Sequence, residues 1–126
     1  MPVTYPNAVK VARMAAVVSQ AGATAVLEIG TAGMATVLAT IPLGNPIAGA
    51  ATGAGVLTLS GFPRSDTGAD ATGTAAAARI RTATGGTDII TGLTVGTSAA
   101  DIILDSLSIT AGQTVTINSA VFTHAA

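Results

Sequence analysis

The chain has 126 residues and a formal net charge of −1, and charged residues make up 9% of it, against roughly 25% in an ordinary soluble domain. That balance leaves no basic surplus to neutralise phosphates, so no nucleic-acid partner is expected. It is also too apolar for a disordered tail, and the absence of Cys excludes a disulfide framework or a thiolate metal site.

The mean hydropathy is +0.66, much of it from Ala and small branched side chains. A spanning helix needs about 20 mostly apolar residues in a row. Residues 8–29 are interrupted by Lys10, Arg13, Ser19, Gln20 and Glu28, and residues 29–63 are studded with Gly, Thr and Pro. No membrane partner is therefore expected. Nor is a cleaved signal, because the apolar run Met14–Val18 is too short for one.

Residues 1–6 carry two prolines and read as an extended arm. Asn7 can cap a helix over 7–21, with Val11, Met14, Ala15 and Val18 on one face and Lys10, Arg13 and Gln20 on another. Gly22 stands where a positive φ is wanted to end it. Its shallow Ala/Val face predicts a helix that lies on a larger body.

Beyond Gly22 the period changes to two. Strands are expected over 24–30, 36–41 and 55–59, with a Gly/Ala loop over 43–54 and a polar loop over 61–73. Residues 74–82 read as a strand with Ala76, Ala78 and Ile80 on one face and Ala77, Arg79 and Arg81 on the other. Residues 84–87 read as a hairpin turn, followed by strands over 88–95, 101–104 and 113–123. The 20 threonines favour pleated surfaces over helices. The expectation is a single domain over 1–126. It is mainly β: an antiparallel β-sandwich over 24–124, jelly-roll or Ig-like, with one short N-terminal α-helix. Only Tyr5, Phe62 and Phe122 are aromatic, so the core is thin, and neighbouring subunits are expected to add to its stability.

Few residues invite chemistry. Asp66-Thr67-Gly68-Ala69 matches the catalytic turn of retropepsin-like aspartic proteases, in which two aspartates share a proton across a dimer axis. In that family the motif ends a buried apolar strand. Here it follows Phe62-Pro63-Arg64-Ser65, and Ile89-Ile90-Thr91-Gly92 is a poor substitute for the supporting segment, so a turn with a backbone role is preferred. The Gly-rich stretches 49–55 and 68–73 do not match a phosphate loop. His124, the sole His, reads as a terminal side chain. Asp101 and Asp105 lack the oxygen density of a calcium loop and read as turn or strand-edge residues. No catalytic, cofactor-binding or metal-binding residue is assigned, and no cofactor is expected. Lys10, Arg13, Arg79 and Arg81 are the candidate inter-subunit contacts. For each the alternative is a solvated face, and for the two strand arginines it is one that resists edge pairing.

Residues 71–80, 95–104 and 106–117 (SLSITAGQTVTI) together resemble small structural proteins of tailed bacteriophages, encoded among head and tail genes. The short helix followed by Ala25-Val26-Leu27-Glu28-Ile29 extends the likeness over most of the chain. Ala77-Ala78 departs from it, since relatives often carry an aromatic there. The resemblance implies a virion component with no catalytic residues. The expectation is a capsid decoration or cement protein on the capsid surface. It binds and stabilises the major capsid protein lattice, as a homo-oligomer or lattice-bound, with an edge strand available to pair with a neighbour. The alternatives are a neck, collar or tail accessory protein, a bacterial surface or pilus subunit, and, from another class, the aspartic protease.

Overall fold

The computed structural model describes residues 5–22, 24–44, 47–49, 51–53, 55–83 and 85–123. In chain order these form helix α1 (Asn7–Ala21), β1 (Val26–Gly30), a single 3₁₀ turn (Ala32–Met34), β2 (Val37–Pro42), β3 (Val56–Thr58), β4 (Arg64–Asp66), β5 (Gly73–Thr74), β6 (Ala77–Arg81), β7 (Asp88–Leu93), β8 (Val95–Gly96), β9 (Ile102–Leu104), β10 (Ser108–Ile109) and β11 (Val115–Thr123).

The protein is mainly β and sandwich-like, with one helix near the N-terminus. One sheet has the order β2-β1-β6-β7 and is antiparallel throughout. The other has the order β3-β11-β9-β8, with β4 also pairing with β11. Its only parallel pair among the described strands is the short β8–β9 contact. β5 and β10 form a small third ladder. One continuous apolar cluster joins Leu27, Ile29, Ile41 and Ile80 of the first sheet to Leu57, Ile102, Leu104 and Ile117 of the second. All eight are essentially inaccessible to solvent.

The period-two pattern of β6 is as the sequence indicates: Ala78 and Ile80 are buried, and Ala77, Arg79 and Arg81 are half-buried. β11 shows a subtler pattern. Val115 and Ile117 are buried, then the phase slips and Ala120 and Phe122 are buried. The slip coincides with a register shift against β9 between Ile117 and Ser119. One extra residue resets which side chains face the core.

Several expectations are corrected. The polar loop over 61–73 contains β4 and the first residue of β5. β4 is a three-residue edge strand of polar side chains, too short to show a period. The strand expected over 74–82 is broken: Gly73–Thr74 pairs with β10, whereas Ala77–Arg81 pairs with β1. On α1, Met14 and Ala21 are buried, Val11, Val17 and Val18 are half-buried, and Ala15 faces solvent. Asn7 does not cap. It is the first helical residue, and the Pro6 carbonyl accepts the N–H groups of Val9 and Lys10. Gly22 does end the helix with φ +67°. Of the arm, residues 1–4 lie outside the described residues, as does His124.

The sheet edges are covered or disrupted. β2 and β4 close one side of the sandwich: Asp66 accepts the Thr40 N–H at 3.0 Å, and Arg64 Nη1 donates to the Pro42 carbonyl at 3.4 Å. Farther along β2, the Asp70 N–H donates to the Leu38 carbonyl at 2.7 Å. β7, on the opposite edge of the first sheet, carries two register shifts against β6 within six residues. One of them holds Gly92 at φ +74°, a conformation that favours glycine. β3 is flanked by single bridges from Ala48 and Thr52, and β8 is two residues long. The edge pairing with a neighbour suggested by the sequence therefore meets no long flat edge among the described strands.

Candidate functional site

All six Asp and Glu side chains have a partner within the chain. Glu28 is 4% exposed and accepts from Arg79 Nε at 2.6 Å. Asp88 lies 2.9 Å from Arg81 Nε. Asp70 accepts the Thr40 hydroxyl at 3.1 Å, and Asp105 accepts the Asn118 side-chain amide at 2.7 Å. Asp101 and Thr94 are reciprocally bonded: the Asp101 carboxylate accepts the Thr94 N–H at 3.0 Å, and the Thr94 hydroxyl accepts the Asp101 N–H at 2.9 Å.

Asp66, the first residue of the protease-like motif, uses both oxygens on main chain. Oδ1 accepts the Gly68 N–H and Oδ2 the Thr40 N–H, each at 3.0 Å. The first bond is a local Asx turn, the second a tie between β4 and β2. The motif thus sits at the end of a short polar strand and anchors a loop. Among the described residues no group of three or more His, Asp or Glu could hold a metal ion. No described helix is long and apolar enough to cross a membrane.

Of the four candidate contact residues, the structure brings Arg79 and Arg81 together and gives both a partner inside the chain. Glu28 stands directly opposite Arg79 across β1–β6, and Arg81 stands opposite Asp88 across β6–β7. Arg81 Nη1 is 3.8 Å from the same Glu28 oxygen that Arg79 holds. Two cations and two anions thus form a neutral row over the outer side of the first sheet. Both arginine side chains are about one-fifth exposed, so their stems roof the carboxylate of Glu28. For these two residues the structure shows ion pairs within the chain, which neither the inter-subunit nor the solvated-face expectation included. The Arg81 Nε–Asp88 contact is close but poorly aligned, and that N–H, though buried, makes no hydrogen bond.

Lys10 and Arg13 have no carboxylate partner among the described residues. The Arg13 guanidinium lies over the Tyr5 ring, 4.6 Å from its centroid. Arg13 also stands at a cleft of about 590 Å³ between α1 and the β6–β7 hairpin, where Met14 and Val17 of the helix face Thr87, Asp88 and Ile89. The sequence gives no sign of this cleft, because its walls are about seventy residues apart in the chain. The ion row left a partial signal: Glu28 is the only charge in an apolar strand. Its partner could be found only from the strand order.

Compared with known proteins, the chain matches no family model, and neither a curated protein nor a solved structure matches it significantly.

Proposed function

We propose that this chain is a structural component of a tailed-phage virion, acting as a decoration or cement protein on the capsid surface. The observation that carries the reading is the state of its Asp and Glu side chains: each of the six is held by another part of the same chain. Asp66, the carboxylate of the protease-like motif, has both oxygens on main-chain N–H groups, so it is engaged in structure and not poised as a general acid or base. The side-chain carboxylates here serve as ties between strands and loops.

Three further features support the reading. The surface is weakly charged and built from small side chains, which allows close approach to a repeating partner. The protected edges suit a protein held at high local concentration, since they oppose open-ended strand pairing. The thin aliphatic core suits a protein that gains stability from its partners by mass action. In this role the sandwich sits on the shell and braces adjacent copies of the major capsid protein through side-chain faces rather than through an added strand.

The test uses particles assembled with and without the protein. A decoration role predicts a copy number that follows the capsid lattice and a loss of resistance to heat and osmotic shock when the protein is absent. A copy number matching the neck or tail, or absence from the particle, would refute it.

A further inference from the structure

We propose that the cleft between α1 and β7 is a docking site for an acidic, apolar segment of a partner protein. The argument begins with charge. Glu28, Arg79, Arg81 and Asp88 cancel one another, so the Asp88 carboxylate at the cleft wall is already compensated by Arg81. Lys10 and Arg13 are not compensated. They form a local surplus of two positive charges in a chain whose net charge is −1.

Helix geometry places Arg13 at the cleft, with Lys10 one turn earlier on the same side of the helix and outside the lining. Lys10, Arg13, Val17 and Gln20 recur at helical spacing on one stripe, and the last three line the cavity. The floor is apolar, from Met14, Val17 and Ile89. Its volume lies within the range of sites that bury a compact ligand or a few side chains. The Arg13 guanidinium lies over the Tyr5 ring, and a guanidinium is the side chain whose donors match a carboxylate through two parallel bonds. The occupant that satisfies both features carries a carboxylate beside a branched apolar residue. The segment enters from the side, over the helix, because the bulged edge of β7 does not favour an added strand.

That the segment belongs to a virion protein rests on the function proposed above. The occupancy of the cleft does not, and its test uses the purified full-length chain. Two blocked tetrapeptides, Leu-Glu-Leu-Glu and Leu-Lys-Leu-Lys, are titrated into isotope-labelled protein and followed by amide shifts. The acidic peptide is expected to move the amides of Arg13, Val17, Gln20, Thr87 and Ile89, more weakly as salt is raised. The basic peptide is expected to move none of them. Arg13→Gln should weaken the acidic peptide by roughly tenfold, and Arg13→Lys, which keeps the charge and loses the fork, by less. Arg13 is exposed, so both variants should keep the rest of the spectrum intact. Equal shifts from both peptides, shifts elsewhere on the molecule, no binding, or undiminished binding by Arg13→Gln would each overturn the proposal. So would equal shifts from a short oligothymidylate, which would mark a general anion site. Peptide binding by a chain found on no particle would leave the cleft proposal standing and remove the virion one.

Discussion

Glu28 and Arg79 face each other across the β1–β6 pair, with 2.6 Å between carboxylate oxygen and guanidinium nitrogen, and the carboxylate is almost wholly shielded from water. Desolvating such a pair offsets most of its Coulomb attraction, whereas leaving one member alone is costly. Arg79→Met leaves Glu28 only the longer contact with Arg81, so it should destabilise the fold by at most about 3–5 kcal/mol. The double variant Glu28→Met/Arg79→Met should recover most of that loss. Denaturant midpoints in a double-mutant cycle check this. Equal losses for the single and double variants would mean that the ion pair carries a net stabilisation that apolar packing cannot replace.

Asp66 ties the loop after β4 to the edge of β2. Asp66→Ala removes the acceptor of the Thr40 N–H and should cost about 1–3 kcal/mol. It also uncovers part of the β2 edge, so the variant should self-associate as concentration rises. Sedimentation velocity over a concentration series, with hydrogen exchange at Thr40, reads both effects. An unchanged exchange rate would show that the tie is dispensable.

Gly30 lies at the bulge between β1 and β2, where an added Cβ would stand 2.8 Å from the Thr36 carbonyl and 2.9 Å from the end of Met34. The carbonyl belongs to the main chain and cannot step aside. Gly30→Ala should cost about 1–3 kcal/mol through overpacking. Gly68→Ala meets nothing within 4 Å and should stay within about 0.5 kcal/mol of the parent. Thermal unfolding of the two variants side by side is the check.

Among the described residues the largest fully buried side chains are all Leu and Ile. Ile80→Ala should cost about 2–5 kcal/mol, since the residue is fully buried and its truncation leaves a cavity in the core. Val9→Ala, on the exposed side of α1, should change stability by less than about 0.5 kcal/mol. A similar loss at both positions would mean that the helix packs far more tightly than its exposure indicates.

Alternation of small and branched residues made most strands legible, because one buried face imposes a period of two. β6 is the clearest case: its arginines and its Ala/Ile face separate as the sequence reads. β5, β8 and β10 are two residues each and carry no period to detect. β4 is hidden because an edge strand of Arg64, Ser65 and Asp66 looks like a turn. The site was less legible for a different reason. Arg79 and Arg81 attract notice as rare charges, and Asp88 lies just across the hairpin turn from Arg81, but the pairing of Glu28 with Arg79 is fixed by strand order, which no local pattern encodes. The helix face misplaced Ala15 because an Ala/Val helix has so little contrast that a shift of one position barely changes the pattern.

β11 bonds to β4 and β3 along one side and to β9 along the other, and all three precede it in the chain. Until residues 115–123 leave the ribosome, these earlier strands have no common neighbour to zip against. The second sheet must therefore close late and over long loops, so the growing polypeptide waits half-assembled, with the aliphatic faces of one layer still wet.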